Sequence, residues 1–461
     1  MLNISIRNLL NISEGELLSG DIGKYGDMCI TRVSYDSRDI DAGTLFVPLK
    51  GERVDSHKFI SQVLSDKAFV SFSEYDDTGY RGDRIIIKVP DTVKAVKKLA
   101  VFYRSLISVP FIGVTGSVGK TTTREMISAA LSSGKTVYAT PGNRNSQLGT
   151  PQALFAYDDI ADIAVMEMGV SMPGEMGSLA DMVRPDAAVF TNIGITHIEN
   201  LKTRKGILEE KMHITDHMPA GSPVFINDDN DMLHNCTLTS NLIRLTYGTD
   251  PSCDAYPEDI DETYGCPEFT AVIKGKKIPV KLGVYGRHSV YNALVALLIS
   301  DYFGLDVYAA AAKLGEYKGY LHRGQILHNG GVTIIDDTYN ASPDSVRAAL
   351  DILSNIHTDK RRIAVLADMK ELGENTVNEH ISVGKYVSDK GNIDVLFTFG
   401  ELAENMSKGA GNTECRHTGS FDELSRDVVG FLKPGDTVLF KGSNSMKLFD
   451  LVDKVMKHEY E

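Results

Sequence analysis

The chain lacks most of the features that would place it outside a reducing cell interior. Its five cysteines, Cys29, Cys236, Cys253, Cys266 and Cys415, never stand in C-x-x-C spacing. That removes the usual zinc pattern and leaves no disulfide framework. No apolar run is long enough to span a bilayer: the best, residues 290–299, is broken by Asn292 and closed by Asp301. The N-terminus has no signal-peptide core, so a cytoplasmic location is expected. Positive charge is also short, with 48 Lys and Arg against 62 Asp and Glu, a formal charge of −14. This balance argues against a general nucleic-acid or membrane-surface binder, while a local basic pocket could still take an anionic small molecule. Internal repeats and low-complexity tracts are missing too. What remains is a chain of 461 residues, 42% apolar and 24% charged, long enough for two to four domains.

The most informative segment is Phe111-Ile-Gly-Val-Thr-Gly-Ser-Val-Gly-Lys-Thr-Thr-Thr. A short apolar strand over 109–114 runs into a glycine turn and then a helix, the layout of a phosphate-binding loop. Gly116 and Gly119 permit a tight turn whose N–H groups converge on an anion, and the helix N-terminus adds partial positive charge. Lys120 can reach the β/γ-phosphates, and the Thr121 hydroxyl can bind Mg²⁺. The longer common form of the motif has glycine where Val114 stands, so the match is to the shorter Gly-x-x-Gly-Lys-Thr. Gly116, Ser117, Val118, Gly119, Lys120, Thr121 and Thr122 are the expected nucleotide contacts.

Patterning divides the chain in three. Residues 1–90 mix short strands and turns, with strands expected over 33–47 and 84–89 around Asp36-Ser37-Arg38. A helix over 92–106 leads to the phosphate loop. Within 91–318, the runs 164–168, 187–192 and 222–227 are short and almost continuously apolar, as in a parallel sheet buried on both faces. Residues 236–285 alternate and carry polar turns, which predicts an antiparallel insert, and 286–304 is a strong helix pattern. From 319 to 461 strands and helices alternate again, which predicts a second doubly wound unit. The expected architecture is α/β: a small mixed N-terminal domain, a central phosphate-loop domain with a parallel sheet, and a Rossmann-like C-terminal domain, with the nucleotide at a cleft between domains.

Ligands of open α/β sheets bind at the carboxyl ends of strands. Glu167 ends one strand. Thr191 and Asn192 end another and are followed by His197, and Asn227 and Asp228 end a third. Taken singly, a strand-end glutamate is more often a cap or a surface residue. Together, beside a phosphate loop, these oxygens suit a Mg²⁺–triphosphate site. The turn-rich segment Gly142-Asn-Arg-Asn-Ser-Gln-Leu-Gly-Thr-Pro, with Asn143 and Asn145, is either a capped loop or a substrate loop. Lys211, in a helical stretch, reads on its own as a surface lysine.

The ordered set of motifs resembles the Mur ligase family of ATP-dependent amide-bond-forming enzymes over nearly the whole chain. The matching pieces run from Asp36-Ser-Arg and Gly51-Glu-Arg-Val-Asp through the phosphate loop, Gly142-Asn-Arg-Asn, Glu167-Met-Gly, Asn192-Ile-Gly-Ile-Thr-His-Ile-Glu, Lys211 and Asn227-Asp-Asp. They continue through Gly286-Arg-His-Ser-Val-Tyr-Asn-Ala, His322-Arg323, Asp336-Asp-Thr-Tyr-Asn-Ala-Ser-Pro-Asp-Ser, Ala367-Asp-Met-Lys-Glu-Leu-Gly and Lys441-Gly-Ser. The resemblance implies that Lys120 and Thr121 bind ATP phosphates and Mg²⁺, and that Glu167 and His197 ligate magnesium, of which two ions are expected. It places Lys211 at the family's carbamylated lysine, where a carbamate replaces a cation with an anionic oxygen ligand. It also implies that His288 and Asn292 lie near the adenine, that Arg323 contacts phosphate and that Asp337 is the ribose- or phosphate-side acid. Asp36, Ser37 and Arg38 would hold the UDP-muramyl part, with Asn143, Asn145, Asn340 and Ser342 as further substrate contacts. Lys120, Lys211, His197 and Arg323 are the expected catalytic set.

The implied chemistry is ATP-dependent activation of a carboxylate as an acyl phosphate, followed by attack of an amine. Within the family, the stretches from Asp337 and from Ala367 resemble the member that adds D-Ala-D-Ala to UDP-MurNAc-tripeptide. The Tyr-Ala-His and Asp-Asn-Pro-Arg stretches of the sibling that adds the third amino acid are not found. Asn444 stands where the family usually has arginine, and Ser56 where glycine is usual; these departures motivate an alternative, a paralogous ligase acting on a different amino acid or acceptor. A nucleotide-gated scaffold without catalysis would have lost metal ligands, yet Lys120, Glu167, His197 and Lys211 are all present. Small-molecule substrates, no membrane insertion and a monomer are expected.

Overall fold

Alternate residues of the central strands feed two different cores, which is why those strands read as unbroken apolar runs. In the computed structural model, which describes residues 2–51, 53–263 and 265–460, Phe111–Thr115 lies between Ile163–Glu167 and Ala187–Phe190, parallel to both. Phe111, Ala164, Met166, Ala188 and Phe190 point into one core, and Ile112, Val114, Ile163, Val165, Ala187 and Val189 into the other. A side-chain period of two with apolar cover on both faces produces this pattern. Pro223–Asn227 and Ile243–Tyr247 extend the sheet in parallel. Val137–Ala139 forms the other edge, parallel to Ile163–Glu167, and Ala255–Asp261, Glu268–Ile273 and Lys276–Lys281 complete the nine strands, the last two pairings antiparallel. The insert expected over 236–285 is therefore a continuation of this sheet, and 243–247 belongs to its parallel part.

The C-terminal sheet has six strands. Gln325–Asn329 runs antiparallel to Val332–Asp336, and Thr437–Lys441, Arg362–Ala367, Val395–Phe399 and Glu414–Thr418 follow in parallel. Helices Pro343–Asn355 and Thr376–Lys390 contribute Val346, Leu350, Val383 and Val387 to one face. Helices Phe421–Phe431 and Leu448–Lys457 contribute Leu424, Val428, Leu451 and Val455 to the other. This is the doubly wound arrangement the alternation predicts.

The N-terminal sheet is mixed: Glu16–Ser19 pairs antiparallel with Ile85–Lys88, and Val70–Ser73, Thr44–Phe46 and Arg32–Ser34 follow in parallel. The single strand expected over 33–47 is thus two strands. Between them Ser34 Oγ accepts from the Asp36 N–H at 3.1 Å and Asp36 Oδ1 from the Arg38 N–H at 3.0 Å, side-chain bonds that close a turn in place of a ladder. Helix Thr92–Ser105, capped by Asp91, packs against helix Ile6–Ser13 on one side and against Gly149–Phe155 and Glu175–Val183 on the other. One core accordingly runs from Leu9 through Leu99 and Tyr103 to Phe111 and Leu179. Of the motif starting at Gly51, Glu52 lies outside the described residues. Among the described residues, no helix is long and apolar enough to cross a membrane.

Candidate active site

At the carboxyl end of Phe111–Thr115 the chain turns through Gly116, at φ 152°, and Gly119, at φ 83°. A Cβ on Gly116 would meet Thr191 Oγ1 at 1.9 Å, so glycine is required there by contact as well as by conformation. The loop is braced from the neighbouring strand end. The Ser117 N–H donates to Asn192 O at 2.9 Å, the Val118 N–H to Asn192 Oδ1 at 2.8 Å, and the Thr191 hydroxyl to Val118 O at 2.6 Å. Helix Lys120–Leu131 then starts with no side-chain cap at Gly119, leaving its first-turn N–H groups for a ligand.

Glu167 is 2% exposed and its oxygens are heavily engaged. Oε2 accepts from the Thr121 hydroxyl at 2.7 Å and from Arg124 Nη1 at 3.3 Å, and Oε1 accepts from Asn145 Nδ2 at 2.6 Å. A carboxylate and a hydroxyl held this close at a strand end form an oxygen donor set of the kind Mg²⁺ takes. Arg124, fully buried and one helical turn after Lys120, is a residue the motif reading missed; its i+4 position on the loop helix is the signal that could have found it.

Two lysines follow, Lys120 half-buried and Lys211 buried. Lys120 Nζ donates to Gly116 O at 2.8 Å and to Ser117 O at 3.4 Å. Burial pulls its pKa below the usual lysine range, Glu167 opposes that shift and Arg323 adds to it. Lys211 is 1% exposed, which overturns the surface-lysine reading. Burial takes its pKa well below 10.5, the Lys120 charge adds to the fall, and only Glu210 opposes it. The Glu210 carboxylate is itself committed to the Gly174 and Met176 N–H groups at 2.8 and 2.7 Å. Lys211 Nζ makes no hydrogen bond or ion pair within the described residues.

The opposite wall comes from the C-terminal sheet, across a cavity of about 580 Å³. Arg323 stacks on Tyr339, its guanidinium carbon 3.7 Å from the ring centre, and its buried Nε has no partner among the described residues. Asp337 is ion-paired with Lys441, whose Nζ also donates to Asn340 O at 3.0 Å. Asn340 and Ser342 line the same wall. From the middle unit, Asn292 Oδ1 accepts from Thr123 Oγ1 at 2.9 Å, and desolvation in the cleft lowers the His288 pKa from 6.5, against the pull of Asp337. Lys441 and Tyr285, which also line the cavity, escaped assignment because their neighbours are remote in sequence.

The cavity thus gathers Ser117 to Thr122, Asn145, Glu167, His197, His288, Asn292, Arg323, Asp337, Asn340 and Ser342. It does not gather all the expected residues. Gly116 and Lys211 lie behind its wall, and Asn143 is an exposed loop residue. Ser37 and Arg38 sit in the turn between two strands of the N-terminal sheet, where Arg38 grips Asp36 in the open and holds that carboxyl at about 2. No cluster of three or more His, Cys, Asp or Glu side chains is assembled among the described residues. His197 Nδ1 lies 2.6 Å from Glu371 Oε2, and that contact lowers the Glu371 pKa.

Comparisons with known proteins agree with this geometry. Residues 114–300 match the Mur ligase middle domain, and residues 322–444 match the Mur ligase, glutamate ligase domain. The chain is 33% identical over 463 residues to the UDP-N-acetylmuramoyl-tripeptide--D-alanyl-D-alanine ligase of Bacillus subtilis (strain 168), covering 99% of both. It superposes on a crystal structure of MurF from Acinetobacter baumannii with a TM-score of 0.88 at 26% identity, covering 99% of each chain. It superposes on the MurF ligase from Thermotoga maritima in complex with ADP with a TM-score of 0.82 at 28% identity, covering 92% of this chain and 97% of that one.

Proposed function

This chain belongs to the Mur ligase family, and from that premise we propose that it joins D-alanyl-D-alanine to the terminal carboxylate of UDP-MurNAc-tripeptide at the expense of ATP. The reaction type is supported by the cavity in which the phosphate loop faces Arg323 and Asp337. The dipeptide is supported by likeness to enzymes of that name along the whole chain rather than over the nucleotide part alone. The enzyme would act in the cytoplasm as a monomer in peptidoglycan precursor synthesis, and through it in cell shape and cell division. In this reading residues 1–90 hold the UDP end through Ser37 and Arg38, residues 91–318 bind ATP, and residues 319–461 close over both.

The chemistry needs positioning and charge neutralisation more than a nucleophilic side chain. The substrate carboxylate oxygen attacks the γ-phosphorus and ADP leaves. The dipeptide amine then attacks the acyl carbon, loses a proton, and phosphate departs. Lys120 moves from the carbonyls of its own loop to the phosphate oxygens, and Arg323 neutralises charge from the other wall, each in a site that excludes water. His288 and Asn292 flank the base, Asp337 the ribose or phosphate side, and Asn143, Asn145, Asn340 and Ser342 the peptide substrates.

Magnesium fits the Thr121–Glu167 oxygen pair; as two ions it would be held there, with His197 and a carbamylated Lys211 as the further ligands of this reading. Bound there, it neutralises phosphate charge. Lys211 suits carbamylation because burial lowers its pKa and so favours the neutral amine, the form that adds CO₂ and releases a proton.

Nothing in the geometry favours the paralogue reading. Ser56 Oγ bonds both the N–H and the carbonyl of Leu49, at 2.6 and 2.9 Å, and Asn444 Nδ2 donates to Tyr339 O at 3.0 Å, so each departure braces a local loop. The test is phosphate release from ATP with UDP-MurNAc-tripeptide and Mg²⁺, with and without D-Ala-D-Ala. Release that depends on the dipeptide, with a pentapeptide product by mass, is expected. Equal release without it, or amide formation only with another amine, overturns the reading.

A further inference from the structure

Residues 192–199 touch two parts of the molecule that must meet for the reaction. At one end they brace the phosphate loop: Asn192 accepts from the Ser117 and Val118 N–H groups, and the Gly194 N–H donates to Ser117 Oγ at 3.0 Å. At the other end they enter the C-terminal unit. Ile195 packs against the core formed by Val346, Leu350 and Leu366. A Cβ on Gly194 would come within 2.8 Å of Asp344 Oδ2. His197 Nδ1 meets Glu371 Oε2 at 2.6 Å, and the turn Gly373–Asn375 sits on the turn Ile198–Leu201.

Both members of the His197–Glu371 pair hold positive φ, 61° and 64°. Neither is glycine, and such backbone persists only where surrounding contacts over-determine it. The segment between Asp368 and Gly373 is correspondingly well anchored. The Met369 N–H donates to His380 Nε2 at 3.1 Å and the Lys370 N–H to Ser443 Oγ at 3.0 Å, so Glu371 is presented from a fixed base.

We infer that Glu371 is a positioning residue that latches the C-terminal unit to the phosphate loop through His197. The carboxylate held against Nδ1 limits how the ring can turn, in a side chain that lines the cavity. Because His197 and Asn192 share one short segment, docking of the C-terminal unit and bracing of the phosphate loop become a single event. The role of His197 toward magnesium rests on the function proposed above; the mechanical coupling does not.

The test compares wild type with Glu371→Ala and Glu371→Gln, the latter keeping an oxygen acceptor at the same reach. The first readout is amide hydrogen exchange in the ligand-free protein. Glu371→Ala is expected to speed exchange about tenfold in the phosphate-loop peptide containing Ser117 and Val118 as well as around 194–201, with the strand Ile163–Glu167 unchanged. The second is the magnesium concentration for half-maximal phosphate release, expected to rise about tenfold, the scale seen when a ligand's supporting partner is lost. Glu371→Gln should recover most of both. Faster exchange confined to 368–375, or an unchanged magnesium requirement, overturns the proposal and leaves an ordinary surface pair. Should the wild type release no phosphate, the functional reading has failed, and exchange at the phosphate loop alone decides the coupling.

Discussion

Glu167, at the end of a middle-sheet strand, and Asp36, just past the end of an N-terminal strand, are both carboxylates paired to an arginine. Glu167 is buried and held by Thr121, Arg124 and Asn145, residues up to 46 positions away. The Asp36 carboxylate is half open to solvent and, among the described residues, bonds only Arg38, two residues along. The first arrangement is rigid before any ligand arrives, because every donor is itself fixed by packing. The second can be reorganised at little cost, since an exposed ion pair contributes little to stability. Pre-organised groups carry transition-state stabilisation, whereas adaptable ones serve binding. The comparison therefore predicts large losses of turnover from the middle sheet and losses of affinity from the N-terminal sheet.

The sharpest break is Lys120→Ala. In the proposed reading this removes the cation that faces the phosphates, so turnover should fall by at least about 10³-fold, with the thermal unfolding midpoint unchanged or raised, since the half-buried ammonium bonds only the carbonyls of its own loop. Single-turnover phosphate release together with a melting curve checks both. Retained turnover would show that the middle site is not pre-organised around this lysine.

In the proposed reading Lys211→Ala should cost less, on the order of 10²-fold, because it would remove a support for the metal rather than a phosphate contact. Small carboxylates added to the assay should restore part of the rate by supplying the missing anionic oxygens. Intact-mass measurement of wild-type protein under bicarbonate should show one added CO₂, absent from the variant. Full activity with no rescue would return Lys211 to a packing role.

A third prediction carries the comparison to the C-terminal sheet, where His380 is buried and satisfied on both nitrogens. Nδ1 donates to Thr376 O at 2.7 Å and Nε2 accepts from the Met369 N–H. Burial lowers its pKa below 6.5, the Lys370 charge works in the same direction, and the Thr376 carbonyl, Asp368 and Glu379 oppose the shift. Around pH 6.5 the unfolded chain therefore binds more protons than the folded one. Stability that is fully present above pH 6.5 is lost as pH falls toward the lower folded value. Urea unfolding followed from pH 7.5 to 5 should show this decline, and His380→Gln should be less stable at pH 7.5 with a shallower pH dependence.

Much of this organisation is legible in the sequence for physical reasons. The phosphate loop announces itself because glycine is forced where Gly116 meets Thr191. The central strands do so because burial on both faces leaves only apolar residues between the turns. The strand Glu414–Thr418 is silent, since Glu-Cys-Arg-His-Thr is a polar run on an exposed edge, made a strand by pairing with Val395–Phe399. Lys211 is silent for the opposite reason: its helix is charged on most sides, and only the fold turns that one residue inward. The Lys441–Asp337 pair, 104 residues apart, depends on two neighbouring parallel strands ending at the same level, a relation that local patterning does not contain.

The smallest expected effect is also the one that tests the other half of the comparison. Arg38 is 88% exposed at its side chain and holds Asp36 only locally, so Arg38→Ala should leave the unfolding midpoint where it is. If the N-terminal sheet binds the UDP end, the same change should raise KM for UDP-MurNAc-tripeptide about tenfold, the scale of one lost charged hydrogen bond, with kcat and the KM for ATP untouched. Steady-state kinetics with each substrate varied in turn would separate these terms. A fall in kcat instead would mean that the exposed turn at 36–38 is ordered in the reacting complex as firmly as the strand end at Glu167, and the contrast between a pre-organised and an adaptable site would disappear on substrate binding.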